Sequence, residues 1–339
     1  HGHAEAAGFD WYHSWKDREY SWMGSTLVSN VSGTAEAIGR TQRSSARYFQ
    51  RPDRDISGDG IFDAGYDPDA TGLRGYGLFT RVGKDSGGIL RWEAMANVRS
   101  PGFENNDLAF LNRSDYVWFN GNVGGSFSTP TRWYRSIFTS FGGAIEHNYD
   151  GDRTRATLQA YYGMEFPNYW NLRTFWIHDA NAYDDRLTRG GPVVRRNGYD
   201  FGHFQVSTDA RAPAVFDIQI RGARGIGDDT RLFELGPGLA LKPTSNVFVQ
   251  LSPSFRYDET SAQYVTTVDD PDFTTSALRG TAVLRWEYRP GSTLFFVWTQ
   301  QRSGFDSAGT FDFDQARSAI FGERPMNIFQ VKATYWFGR

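Results

Sequence analysis

The chain has 339 residues, a net charge of −3 and no cysteine. The small negative charge gives no general attraction to nucleic acid, and the lack of cysteine excludes disulfides, thiol catalysis and cysteine metal sites. Aromatic residues make up 16% of the chain and glycine is abundant, which favours strands over helices. No run of about eighteen apolar residues is present, so transmembrane helices are excluded.

The predicted elements are strands joined by links that alternate between short and long. The short links are expected at 16–18, 84–88, 129–131, 167–168, 210–214, 242–245 and 289–292. Between them come looser links at 32–71, 101–115, 149–153, 184–198, 225–231, 259–277 and 303–326. Outer-membrane barrels have short periplasmic turns and longer extracellular loops. The links 32–71, 101–115, 184–198, 259–277 and 303–326 are therefore predicted to be long extracellular loops.

The strands alternate between apolar and polar side chains with a period of two. In Asn327–Gly338 one face carries Phe329, Val331 and Tyr335 and the other Gln330 and Lys332. Such alternation is typical of a half-buried strand. A soluble sandwich gives the same pattern, but it has no reason to sort its links by length. The sequence therefore predicts an all-β, antiparallel transmembrane β-barrel over residues 1–339.

About fifteen strand candidates are visible, and an odd number conflicts with the even strand number of bacterial single-chain barrels. Residues 1–8 lack the basic and apolar regions of a signal peptide. We therefore expect the C-terminal part of a longer barrel, with about sixteen or more strands when complete. Upstream strands and an N-terminal domain would be missing, and the C-terminus would be periplasmic.

Several segments resemble a known family: 44–53 (SSARYFQRPD), 99–107 (RSPGFENND) followed by 111–115 (LNRSD), 189–193 (RGGPV) and 279–300 (RGTAVLRWEYRPGSTLFFVWTQ). Together they are similar to the C-terminal barrel of a bacterial outer-membrane protein family of unknown function. In that family the barrel commonly follows a carbohydrate-binding domain resembling family 9. The resemblance implies the barrel fold and a location in the outer membrane of a Gram-negative bacterium. It implies no established activity.

The best metal candidate is the segment 55–63 (DISGDGIFD), which has oxygen side chains at positions one, three, five and nine of a calcium loop. These are Asp55, Ser57, Asp59 and Asp63, with Gly60 at the sharp turn. The glutamate expected at position twelve is replaced by Tyr66. A calcium loop and a solvated acidic loop both remain open, with the acidic loop favoured.

Eight charged residues lie on the predicted water-facing sides of strands: Arg91, Glu93, Arg99, Arg155, Glu165, Arg279, Arg285 and Glu287. One interpretation is a polar conduit that selects solutes, because charged rings line selective pores. The other is an interior ladder of salt bridges that fills the lumen, which the mixed signs favour. Four further arginines in the predicted outer loop, Arg186, Arg189, Arg195 and Arg196, are candidates for contacts with lipopolysaccharide phosphates.

No set of catalytic residues and no cofactor motif stands out, so we expect a protein that is not an enzyme. The leading function is a porin-like channel or transport component for saccharides, with that substrate class resting on family association. The alternative is a structural barrel with a closed lumen that anchors a surface or periplasmic assembly. Expected partners are outer-membrane lipid and lipopolysaccharide, a saccharide ligand and envelope proteins, with no nucleic acid and calcium as the sole candidate cofactor.

Overall fold

The computed structural model describes residues 2–54, 65–106, 110–260, 273–306, 318 and 320–337. Strands dominate this part of the chain, as the composition predicts. In chain order they are β1 (His3–Trp15), β2 (Tyr20–Ser32), β3 (Gly72–Lys84), β4 (Leu90–Arg99), β5 (Tyr116–Phe127), β6 (Ser136–His147), β7 (Arg153–Glu165), β8 (Asn171–Asp179), β9 (Ala182–Asp184), β10 (Val194–Arg196), β11 (Gly198–Ser207), β12 (Ala214–Ile226), β13 (Arg231–Thr244), β14 (Val247–Thr260), β15 (Phe273–Arg289), β16 (Ser292–Asp306) and β17 (Met326–Thr334). The helix α1 (Ala35–Gln42) follows β2, and residues 318 and 320–322 are also helical.

Fifteen of these strands form one antiparallel sheet in which each strand pairs with the next along the chain. β9 and β10 form a separate two-stranded ribbon inserted between β8 and β11. The antiparallel all-β class and the number of visible strands are confirmed. The described strands form an open sheet with β1 and β17 at its edges, and it is not closed into a barrel.

The chain divides into two compact units. The first contains residues 1–126, 140–160 and 178–198, and the second contains residues 127–139, 161–177 and 199–339. No helix in the described ranges is long and apolar enough to cross a membrane.

In the first unit the strand register gives the sheet one apolar face. Residues opposite each other in an antiparallel pair carry their side chains on the same face. Trp22 pairs with Val82, Val82 with Ala94, and Ala94 with Gly121. The neighbouring positions carry polar groups on the opposite face, where Arg81 pairs with Met95 and Glu93 with Asn122.

The second unit repeats this division. One row runs across four strands from Val249 through Leu284 and Phe296 to Val331, all on one face. The next row, one residue along, runs from Gln250 through Val283 and Val297 to Gln330 and belongs to the other face. The period-two pattern of the sequence thus becomes two chemically different surfaces.

The small apolar core of the first unit lies under its connecting segments, on the polar face of the sheet. Ile38 of α1 and Phe49 pack on Val31 and Leu73 from β2 and β3. A second cluster joins Phe103 to Ala46 and Leu111. The segments 33–54, 100–106 and 110–115 therefore form a layer over β2 and β3, which we call the loop layer.

The helix α1 was not predicted, although its sequence contains the usual capping and charge-pair signals of a helix. Thr34 caps it by accepting a hydrogen bond from the Ala37 amide at 3.2 Å. Glu36 lies in the first turn and pairs with Arg40 at 2.7 Å. These signals lie within a segment that the sequence pattern assigned to a loop.

The observed connections lie close to the predicted positions, but they do not alternate regularly between short and long. The links 16–19, 85–89, 166–170, 245–246 and 290–291 are short, as expected. However, 148–152 and 227–230 are equally short, although the alternation placed looser links there. Residues 261–272 and 307–317, within the predicted loops 259–277 and 303–326, lie outside the described residues.

Candidate functional site

A network of polar side chains crosses the polar face of the first unit. Arg81 donates from Nε to Glu93 Oε2 at 2.8 Å and from Nη2 to Asp85 Oδ1 at 2.6 Å. Asn122 donates to Glu93 Oε1 at 3.2 Å, and Gln159 donates to Asn122 Oδ1 at 2.9 Å. We call this network the polar ladder; with Ser21, which donates to Asp85 and accepts from Arg81, it links β2, β3, β4, β5 and β7.

Hydrogen bonds within the polar ladder stabilise the ionised form of Asp85. The hydrogen bond from Arg81 is the main reason that the pKa of Asp85 is lowered, and the hydrogen bond from Ser21 adds to this. Asp85 lies in the turn after β3 and is partly exposed. The turn is therefore fixed to the strands by a carboxylate that stays ionised.

The predicted water-facing charges of the first unit occupy different surroundings. Glu93 belongs to the polar ladder. Arg91 donates to the carbonyl of Gly88 at 2.8 Å, so it closes a turn. Arg99 donates to the Arg113 carbonyl at 3.2 Å, and Arg155 is exposed on β7.

The predicted charges of the second unit are also spread out. Glu165 pairs with Arg135 at 3.0 Å near the 166–170 turn. Arg285 and Glu287 pair at 3.5 Å on β15. Arg279 is exposed and borders a cavity. The eight residues therefore lie on polar strand faces or at turns and form no single cluster.

The densest charged group of the first unit was not predicted, and we call it the buried ion-pair cluster. Arg54 Nη1 lies 2.6 Å from Asp115 Oδ2 and 3.6 Å from Asp150 Oδ2. Arg51 pairs with Asp150 and lies 3.8 Å from Asp185. The side chains of these five residues are no more than 6% exposed.

The cluster extends at both ends. Arg113 donates to Asp185 at 3.0 Å and pairs with Glu146 at 3.2 Å. Arg47 and Glu104 form a fully buried pair at 2.9 Å, and burial lowers the pKa of Arg47 against the opposing effect of Glu104. Burying charges is tolerated only when they are paired. The cluster therefore fastens the loop layer to the 146–152 and 179–185 segments.

The spacing of three arginines in the sequence is a signal for this cluster. Arg47, Arg51 and Arg54 recur at intervals of four and three residues, the first two within the segment 44–53 that carries the family resemblance and the third directly after it. Their acidic partners lie far along the chain, so the signal indicates a charged segment without identifying what it binds. Of the arginines considered for lipopolysaccharide, Arg196 pairs with Asp179 at 2.8 Å.

The calcium candidates Asp55, Ser57, Asp59 and Asp63 lie outside the described residues. Within the part of the chain that is described, no group of three or more His, Asp or Glu side chains is arranged to hold a metal ion.

The fold defines an all-β protein built on a fifteen-stranded antiparallel meander. The chain belongs to the family DUF5916, a domain of unknown function, whose model matches residues 3–283. None of the curated proteins compared with the chain matches it. The expected membership of an uncharacterised family is thereby confirmed, while the outer-membrane origin and the associated carbohydrate-binding domain remain expectations.

Proposed function

We propose that this chain forms an outer-membrane β-barrel that acts as a channel or transport component. The observation that supports this best is the uncovered apolar face of the sheet. In the second unit Phe296 is 42% exposed and Phe329 is 74% exposed, although both lie in rows of apolar residues. Soluble monomers rarely expose large continuous apolar patches. Lipid is the environment in which such a face is stable, with the polar face lining the interior.

The distribution of aromatic residues supports the same proposal. Large exposed aromatic side chains flank four of the connections: Trp15 and Trp22 lie beside 16–19, Trp133 within 128–135, Trp170 at 166–170 and Trp286 before 290–291. Outer-membrane barrels carry girdles of aromatic residues where strands leave the lipid. We assign the edge of the sheet that carries these connections to the periplasmic side on this basis, with the C-terminus on that side.

The proposed complete barrel has about sixteen or more strands. Its lipid-facing side contacts the outer membrane, and its outer loops contact lipopolysaccharide. Saccharides are the proposed solute class, which rests on the family association of such barrels with carbohydrate-binding domains. We propose no enzymatic activity.

Planar-bilayer conductance of the full-length protein tests this function. We expect steady single-channel steps that are reduced when oligosaccharide is added. A protein that inserts and is heat-modifiable on gels, as folded barrels are, but gives no conductance would contradict the channel. Extraction without detergent as a soluble monomer would contradict the membrane barrel itself.

The buried ion-pair cluster favours a second candidate, a scaffold barrel with a closed lumen. The loop layer lies on the polar face of β2 and β3, the side that would line the interior. Its arginines and carboxylates are paired within the protein and are not available to a passing solute. A silent, folded barrel whose conductance appears only when the loop layer is released would support this alternative.

A further inference from the structure

A cavity of about 580 Å³ opens on the polar face of the second unit, over β12 to β16. Its size lies within the range of small-molecule sites. Its charged lining consists of Arg221, Arg256, Arg279, Glu234 and Asp258. Three cations therefore face two carboxylates.

The carboxylates are the more deeply buried groups of this lining. The side chain of Glu234 is 13% exposed, whereas Arg221 and Arg256 are 42% and 50% exposed. Glu234 lies 3.4 Å from Arg221 and 3.9 Å from Arg256, so this buried carboxylate lies within ion-pair distance of both guanidinium groups. A solute that enters the cavity meets guanidinium N–H groups before it meets carboxylate oxygens.

The strand register explains how the cavity forms. Arg256 is opposite Ala277, and Arg279 lies two residues further along the same face of β15. Such diagonal neighbours lie about 7–8 Å apart, with their Cβ atoms somewhat closer, so one small anion can contact both guanidinium groups. The positions around them carry the small residues Ser254, Ala277 and Ser303, which leave the space open.

Arg279 differs from the other two arginines of the cavity. Arg256 is held by Asp258 at 2.5 Å, and Arg221 by Glu234. Arg279 is exposed, and no carboxylate within the described residues lies within salt-bridge distance of it. Its planar fork matches a carboxylate bidentately, while serine, threonine and glutamine side chains of the lining match hydroxyl groups.

We propose that this cavity is a binding site for an anionic solute, specifically an acidic saccharide whose carboxylate is held between Arg256 and Arg279. The inference deepens the proposed transport function, on which it rests, by naming the charge of the solute. Among the described residues, no aromatic side chain lines the cavity, so these residues offer none of the ring stacking that neutral sugars depend on.

Isothermal titration of the full-length protein in detergent micelles at low salt tests the proposal. The probes are digalacturonate, glucose 6-phosphate and neutral cellobiose. We expect digalacturonate to bind, the phosphate ester to bind more weakly, and cellobiose not to bind. Tighter binding of the phosphate ester would overturn the assignment to a carboxylate. Equal binding of cellobiose, or no binding of either anion by the folded protein, would overturn the site.

Arg279→Gln provides the matched variant and Arg285→Gln the control. Both residues lie on the same face of β15, but Arg285 is outside the cavity lining. Arg279→Gln should weaken digalacturonate binding about tenfold or more, the effect of losing a charge-assisted hydrogen bond. Arg285→Gln should leave it unchanged, and equal losses in both variants would contradict the site. Since titration needs no conductance, a silent barrel that binds would contradict the channel alone.

Discussion

At the residue scale, the chain keeps most of its interior charges neutralised by partners from distant segments. Asp185 receives a hydrogen bond from Arg113 at 3.0 Å and another from Asn148 at 3.3 Å, and Arg51 lies 3.8 Å away. Its side chain is 6% exposed. A carboxylate in this position balances the buried guanidinium group of Arg51 and the partly exposed one of Arg113, so it is the central acceptor of the buried ion-pair cluster.

Asp185→Asn should lower the free energy of unfolding by about 3 kcal/mol or more. The amide keeps the shape but removes the counter-charge that Arg51 and Arg113 share, so that Asp150 and Glu146 alone must balance them. Urea-induced unfolding in detergent measures the change. Glu36→Gln is the control, because its pair with Arg40 is largely exposed and should contribute about 0.5 kcal/mol or less. Equal effects of the two substitutions would show that the cluster adds no more than a surface pair.

Asp85 gives a pH-dependent prediction at the same scale. Hydrogen bonding by Arg81 lowers its pKa in the folded state, so its stabilising effect is complete above the unfolded pKa and is lost as the pH falls through the folded pKa. The wild type should therefore unfold at higher urea than Asp85→Asn near neutral pH, by roughly 1 kcal/mol or less since the pair is partly exposed. The difference should shrink as the pH falls through the folded pKa of Asp85 and vanish once this carboxylate is protonated in the folded state. A difference that persisted or grew in acid would contradict the role of the charge.

At the element scale, the loop layer is held to the sheet by backbone contacts that only glycine permits. Ser100 donates its amide to the Tyr76 carbonyl at 2.9 Å, and Glu104 donates its amide to Ser29 Oγ at 2.9 Å. A Cβ at Gly75 would overlap the backbone of Phe103 and Gly102, and a Cβ at Gly102 would overlap the Arg74 carbonyl. The segment 100–104 therefore lies directly on β3.

Gly75→Ala should displace this segment and release the loop layer. We expect proteolysis within 100–115 to become at least about tenfold faster, since protection requires the closed layer. Gly202→Ala is the control, because an added Cβ there meets no atom within 4 Å. Unchanged protection in Gly75→Ala would show that the layer is held by the ion pairs alone. If the scaffold alternative holds, the same variant should gain bilayer conductance.

The sequence predicts the strands well because their signal is local. The strands that carry Phe296 and Val331 each alternate between apolar and polar residues with a period of two, which can be read from a single strand. The buried ion-pair cluster could not be predicted, since Arg51 and Asp150 are far apart in the chain and their pairing depends on how the loops fold. The helix α1 was missed for a different reason: its capping signals are short and lie in a segment assigned to a loop.

At the scale of the whole molecule, the two faces of the sheet are stable in different environments, one apolar and one polar. The apolar face of the second unit includes Phe216, Phe296 and Phe329, all largely exposed. The polar face of the same strands carries Gln250, Arg279 and Lys332. In a protein that is stable in water, other parts of the chain would cover the apolar face. In a membrane barrel the apolar face would contact lipid and the polar face would line the interior.

Phe296→Arg separates these two situations. In a membrane barrel the substitution places a charge against lipid. It should destabilise the protein folded into phospholipid vesicles by about 2–4 kcal/mol. Thr299→Arg is the matched control, because it lies on the same strand but on the polar face, opposite Thr281 and Ile328. We expect its cost to be about 1 kcal/mol or less. In a protein that folds in water, replacing an exposed phenylalanine by arginine would be tolerated, and equal folding of both variants in the absence of lipid would contradict the membrane barrel.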